Sequence, residues 1–304
     1  MLGAACCAAA GAAAACSSSD DSPVPHQSRG GTAVPASTSS MGAERQSSTA
    51  PPSSSVASSG PDIAALQQRF ATKVPTQWGL DVDGVETHVA DRSPAIVALT
   101  FDACGGPHAD TIDPALLGLL QTEAIPATLF LNSRWVTAND ALTRELAANP
   151  LFEIANHGTR HVPLSMTGQS AYGIKGTASL QEVVDEVWTN HELLTRVTGT
   201  APRWFRSGTA HYDEVSTAIV AELGERPVGF VVNGDAGATL SAPKVTHELL
   251  GPATSGGGIV IMHIARPGSG TAQGLGAALG EHHELRPAVV GVGDPAGGWH
   301  ARAS

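Results

Sequence analysis

His157 and His161 stand four residues apart in the run Asn156-His157-Gly158-Thr159-Arg160-His161. If this segment turns helically, the spacing stacks both imidazoles on one face, where they can share an ion. Neutral imidazole is also the commonest nitrogen donor to zinc. A metal needs more than two ligands, so the residues that reach the same place decide the chemistry. Segments that read as strands end in such residues. The run from Ala95 ends at Asp102, and the run from Leu151 ends at Asn156-His157. Trp204-Phe205 leads to Arg206, Val228–Val232 to Asn233-Gly234-Asp235, and Gly258–Met262 to His263. A lone histidine at a strand end is more often a hydrogen-bonded structural residue than a catalyst. Carboxylates, a guanidinium and imidazoles at successive strand ends are harder to explain by structure alone.

The elements that must position these groups alternate. Apolar, β-branched runs predict strands over 95–101, 127–131, 151–155, 204–206, 228–232 and 258–262, with 286–292 closing the series. Helical patterns lie over 62–70, 114–120, 140–148, 179–197, 213–223, 244–250 and 274–279. Asp113 precedes Pro114 as an N-cap before a proline at the first helical position, and Ser179 with Glu182 has capping-box spacing. Strands alternating with helices predict an α/β fold, a parallel sheet covered by helices, with working groups at the carboxyl ends of the strands. About seven such units suit a closed or nearly closed barrel better than an open doubly wound sheet, which remains the alternative.

The ordered set resembles the polysaccharide deacetylases of carbohydrate esterase family 4, over about residues 93–295. Thr100-Phe101-Asp102 resembles the first motif of that family, and His157-Gly158-Thr159-Arg160-His161 its His-x-x-x-His motif. Phe205-Arg206 resembles the start of its arginine motif. Asn233-Gly234-Asp235 stands where an acidic motif is expected, and Ile259-Val260-Ile261-Met262-His263 resembles the last strand and its histidine. The resemblance implies a distorted (β/α) barrel of about seven parallel strands and metal-assisted removal of acetyl groups from N-acetylated sugar polymers. It implies that His157 and His161 hold a divalent metal, with zinc the expected ion. It further implies Asp102 as general base, Arg206 as the group that keeps Asp102 ionised, His263 as general acid and Asp235 as its stabiliser. Amide cleavage needs a nucleophile, stabilisation of the oxyanion and a proton for nitrogen, and this set supplies all three.

One position departs from the family. Its first motif carries two adjacent aspartates, the second completing the metal site, and here that position is Ala103. A catalytic zinc takes three protein ligands and a water. Three completions stay open: a thiolate from Cys104, Asp102 itself, or a second water. Water or Asp102 is preferred, because a strand end would have to twist to present Cys104. Trp135, Trp204 and Tyr212 stand open between stacking on sugar rings and packing in the core. His108, His211, His247, His282, His283 and His300 read as solvated or structural.

The chain has 304 residues and a formal net charge of −11, without any basic run, which argues against nucleic acid or an anionic membrane surface as partner. Residues 1–60 are mostly Ala, Ser, Gly and Pro, too poor in large apolar side chains to offset the entropy of ordering. Their start resembles a lipoprotein signal segment (1–16) ending at Cys16, followed by a Ser/Pro-rich tether (17–60). The expected arrangement is export, lipidation at Cys16, and a catalytic domain over 61–304 that meets an N-acetylated polysaccharide or oligosaccharide at the cell envelope.

Overall fold

The computed structural model describes residues 60–92, 96–106, 111–281 and 289–290. The signal segment, Cys16 and all of the tether except Gly60 lie outside the described residues, as do Ala95, His108, His282, His283 and His300.

Helix α1 (Ile63–Phe70) starts at Asp62, whose carboxylate caps Ala65 N, and it buries Leu66 and Phe70. Strand β1 (Val97–Ala103) is buried along its whole length. Its side chains alternate. Val97, Leu99, Phe101 and Ala103 enter the main apolar core, while Thr100 and Asp102 face a polar interior shared with Arg206. Helix α2 (Pro114–Thr122) opens as its sequence predicts, with Asp113 accepting from Ala115 N and Leu116 N. After β2 (Ala127–Leu131) come α3 (Ser133–Ala138), which the sequence reading left out, and α4 (Asp140–Ala148). Strand β3 (Phe152–Asn156) follows, then a small hairpin of β4 (Ser170–Ala171) and β5 (Ile174–Lys175). The long helix α5 (Leu180–Thr198) runs from the Ser179 cap to Gly199, which takes the left-handed conformation that ends it. The rest is β6 (Trp204–Phe205), α6 (Glu214–Glu222), β7 (Arg226–Pro227), β8 (Val232–Asn233), α7 (Ala242–Leu249), β9 (Gly258–His263), α8 (Thr271–Glu281) and β10 (Val289–Val290).

All strands of the main sheet pair in parallel, in the order β7-β6-β3-β2-β1-β9-β8, with β10 joining the start of β1. Read around the sheet, this is chain order wrapped into a barrel with a seam between β7 and β8. The distorted barrel is therefore the observed fold, and the open doubly wound alternative is not.

The seam corrects the predicted strand over 228–232. Residues 228–231 form no continuous strand: Val228 makes an isolated bridge to Glu86, and Gly229 turns its backbone groups to other partners. Gly229 N donates to Glu86 O (2.8 Å), and Glu86 N donates to Pro227 O (2.9 Å). Gly229 O accepts from Arg206 (3.0 Å). A Cβ at Gly229 would lie 2.8 Å from Val85 Cγ1, so the segment before β1 packs directly on this stretch.

Candidate active site

The parallel register lines up the carboxyl ends. Asp102 on β1 pairs with His263 on β9, Ala103 with Leu131 on β2, Leu131 with Asn156 on β3, and Asn156 with Phe205 on β6. Residues just beyond these positions therefore converge. Asp102, His157, Arg206, Asp235 and His263 all stand at this end of the barrel.

Asp102 and Arg206 form a buried ion pair, with Nη1 donating to Oδ1 at 2.7 Å. Arg206 also donates to Thr100 Oγ1 (2.9 Å) and to Gly229 O (3.0 Å), and its guanidinium lies 4.1 Å over the Phe130 ring. These contacts compensate the cation for leaving water. Asp102 Oδ2 remains directed toward His157, 3.5 Å from Nε2.

A second pair joins His263 to Asp235. Asp235 is fully buried and accepts from His263 N (2.7 Å), His263 Nδ1 (2.9 Å) and Thr271 Oγ1 (3.0 Å). Burial alone would lower the His263 pKa, but the Asp235 carboxylate outweighs it and holds the imidazolium well above its ordinary range. Burial likewise opposes ionisation of Asp235, and the His263 charge and hydrogen bonds overcome it, so the Asp235 pKa is lowered.

The histidine pair sits in an irregular loop, not on a helical turn. Gly158 and His161 both have positive φ, 73° and 63°. Glu186, fully buried on α5, fixes this path: one carboxylate oxygen accepts from Thr159 N (3.1 Å), Arg160 N (3.1 Å) and His161 N (3.0 Å). Gly158 is required because a Cβ there would lie 2.5 Å from Glu186 Oε1. Asn132 adds side-chain donors to the carbonyls of His157 (3.0 Å) and Gly158 (2.8 Å). Glu186 escaped the sequence reading, although a signal exists. It is an acid inside the buried stripe Val183, Val187, Leu194 of α5, where a charge must have a partner.

His157 Nδ1 donates to Arg206 O at 2.9 Å, which leaves Nε2 as the free lone pair. That Nε2 lies 3.8 Å from Cys104 Sγ. His161 Nε2 is buried without a hydrogen-bond partner. Donor atoms of Cys104, His157 and His161 lie within 4.8 Å of one another. Around a tetrahedral zinc, with bonds of roughly 2.0–2.3 Å, neighbouring donors stand about 3.3–3.6 Å apart. The residues present therefore fit a metal ion with small adjustments, and the orphaned His161 nitrogen is where a ligand lone pair would be.

Burial disfavours the Cys104 thiolate, but the neighbouring imidazoles of His161, His157 and His263 outweigh it, so the thiol pKa falls well below its ordinary value. Burial also lowers the His157 pKa, and the Asp102 charge with the Cys104 and Arg206 contacts reverses the sign to a net rise. Cys104 stands beside the two histidines. With Ala103 turned to the core, the period of two on β1 brings residue 104 to the side of Asp102 without any twist.

The aromatic residues considered for sugar stacking are not available. Trp135, Trp204 and Tyr212 are at most 2 % exposed. Their polar tips are satisfied inside, Trp135 Nε1 by Thr111 O and Tyr212 Oη by Val228 O. Aromatic surface lies instead at Tyr172, 45 % exposed, whose ring meets His211 edge-on at 5.1 Å beside Trp78.

Residues 90–228 match the polysaccharide deacetylase family model. The uncharacterized protein YlxY of Bacillus subtilis (strain 168) is 26 % identical over 168 residues, 54 % of this chain and 46 % of that protein, so the chain spans about half the length of this curated relative. BA3943 of Bacillus anthracis, a pseudoenzyme of carbohydrate esterase family 4, has a similar fold (TM-score 0.56, 19 % identity, 70 % of this chain and 68 % of that one). A BA3943 mutant is described as having restored enzymatic activity. The peptidoglycan N-acetylglucosamine deacetylase Bc1960 shares the fold at a TM-score of 0.53 and 22 % identity, over 65 % of this chain and 86 % of that one.

Proposed function

We propose that this protein is a metal-dependent hydrolase that removes N-acetyl groups from N-acetylglucosamine-type glycans of the cell envelope. The observation that carries this reading is the meeting, at one end of the barrel, of the Asp102–Arg206 and His263–Asp235 pairs with the His157–His161 donors. The match of residues 90–228 to the polysaccharide deacetylase family supports the acyl chemistry, and the substrate named for Bc1960 supports the sugar.

His157 and His161 would hold the ion, which when bound would supply a Lewis acid for the acetamide carbonyl. The remaining work falls to the chain's own groups. Arg206 holds Asp102 Oδ1, which leaves Oδ2 facing the site, where it can accept a proton from the attacking water. Asp235 anchors His263 through Nδ1 and keeps it charged, so its Nε2–H can protonate the departing amine. Thr100 and Phe130 hold Arg206 in place.

Export and tethering through Cys16 belong to the same proposal and rest on the composition of residues 1–60. Cys16→Ser should move the protein from the membrane fraction to the soluble fraction of the envelope. Membrane association unchanged in that variant would end the tether reading.

A specific observation favours a second reading. Ala103 stands where the family pattern has a carboxylate, and a similar fold, BA3943, is a pseudoenzyme. The second reading is a glycan-binding protein without turnover. Acetate release from chitooligosaccharides and from peptidoglycan, with and without zinc, separates the two: release upholds the hydrolase, and glycan binding without release upholds the binder.

A further inference from the structure

We propose that Cys104 Sγ is the third protein ligand of the metal site, so that this chain holds its ion through one thiolate and two imidazoles. The inference rests on the metal-dependent reading above and specifies its donor set. Ala103 offers no donor atom and lies fully buried among Leu99, Phe101 and their neighbours. Cys104 is the next residue on the Asp102 side, and it is a free thiol. Its sulfur lies 3.8 Å from His157 Nε2 and closes a triangle with His161 in which no donor pair exceeds 4.8 Å.

The backbone around Cys104 is built to hold it there. Gly105 follows with φ 71°, and a Cβ on it would lie 2.9 Å from Arg134 Cβ and 3.1 Å from Trp135 N. The chain therefore turns against the start of α3 directly after the cysteine, and Arg134 Nη2 donates to Cys104 O at 3.4 Å. Asp102 is the competing donor, but its Oδ1 is bound by Arg206, and it stands outside the group of three.

A thiolate carries the same single negative charge as the missing carboxylate, so the charge of the ligand set is preserved. Its softness is not. Sulfur favours zinc and other thiophilic ions and disfavours magnesium and manganese. The site should be selective where an oxygen-containing set would be tolerant.

The test uses the full-length protein, stripped with a chelator and reloaded with Co2+ or Zn2+. Co2+-loaded protein should show a near-ultraviolet thiolate-to-cobalt charge-transfer band that is absent from both Cys104→Ser and Cys104→Ala. Zinc affinity, measured by competition with a chromogenic chelator, should fall in both variants by at least the roughly 10–100-fold that even outer contacts of a metal site command. Far-ultraviolet circular dichroism of each variant checks that it is folded. The ligand assignment is overturned if the wild-type protein binds neither ion, or if the charge-transfer band is missing. Unchanged zinc affinity in folded Cys104→Ser and Cys104→Ala also overturns it, and zinc-dependent acetate release by those variants would then leave the hydrolase standing. A thiolate band without acetate release upholds the ligand and refutes the hydrolase.

Discussion

Replacing Glu186 by Ala removes the carboxylate around which the loop carrying His157 and His161 is folded. Three consecutive N–H groups, of Thr159, Arg160 and His161, then lose an acceptor at 3.0–3.1 Å. A lost partner for a buried polar group costs about 1–3 kcal/mol, and water can reach part of this loop, so about 1 kcal/mol for each group is the appropriate scale. The sum is about 3 kcal/mol. Relief of the buried carboxylate works the other way, since burial raises the Glu186 pKa against the Arg160 contacts, and it trims that figure. If the loss falls wholly on the loop, His161 spends its time away from His157. At 1.4 kcal/mol per decade, zinc affinity then drops by up to about a hundredfold. Urea unfolding with and without zinc reads both quantities. The apo protein should lose up to about 3 kcal/mol, and the extra stabilisation from a fixed zinc excess should shrink. A loss below about 1 kcal/mol with unchanged zinc stabilisation would refute the claim that Glu186 positions His161.

Two further predictions concern protons. His263 has a raised pKa, so the stability it lends is complete below the ordinary histidine value and is lost as pH rises through its folded value; Asp235, with its lowered pKa, contributes above the ordinary carboxylate range and loses that contribution as pH falls. Asp235→Asn should therefore shift the alkaline limb of the kcat profile to lower pH, and an unmoved limb would remove His263 as the acid. Away from the site, burial raises Glu225 to about 7, opposed by hydrogen bonds from His191 and Asn156. A carboxyl raised this far makes the native state bind the extra proton, so stability falls as pH rises from about 4.5 to 7, by about 3 kcal/mol. Glu225→Gln should abolish that slope in a denaturation series; a slope unchanged in the variant would assign it elsewhere.

Much of the fold was legible because strands and helices carry their own periods. The buried runs of β1, β2, β3 and β9 and the caps at Asp113 and Ser179 appear where the pattern puts them. The parallel register then made strand-end residues neighbours, so the convergence of Asp102, His157 and His263 followed from local reading plus one topological rule. What escaped depends on partners distant in sequence. The strand expected at 228–232 breaks at Gly229, whose N–H goes to Glu86 and whose carbonyl goes to Arg206. The helical turn expected between His157 and His161 yields to Glu186, some 25 positions later in the chain. Trp204 and Tyr212, open in sequence between sugar stacking and core packing, are core residues in space.

Acetate release from N-acetylglucosamine oligomers and from peptidoglycan, by the full-length protein as purified, chelator-stripped and zinc-reloaded, tests the central claim most directly. The account predicts release that stops on stripping, returns with zinc, and is absent from His157→Ala and from His263→Ala. Absence of acetate from the zinc-loaded protein on both glycans, or release indifferent to chelator and to both substitutions, would contradict it.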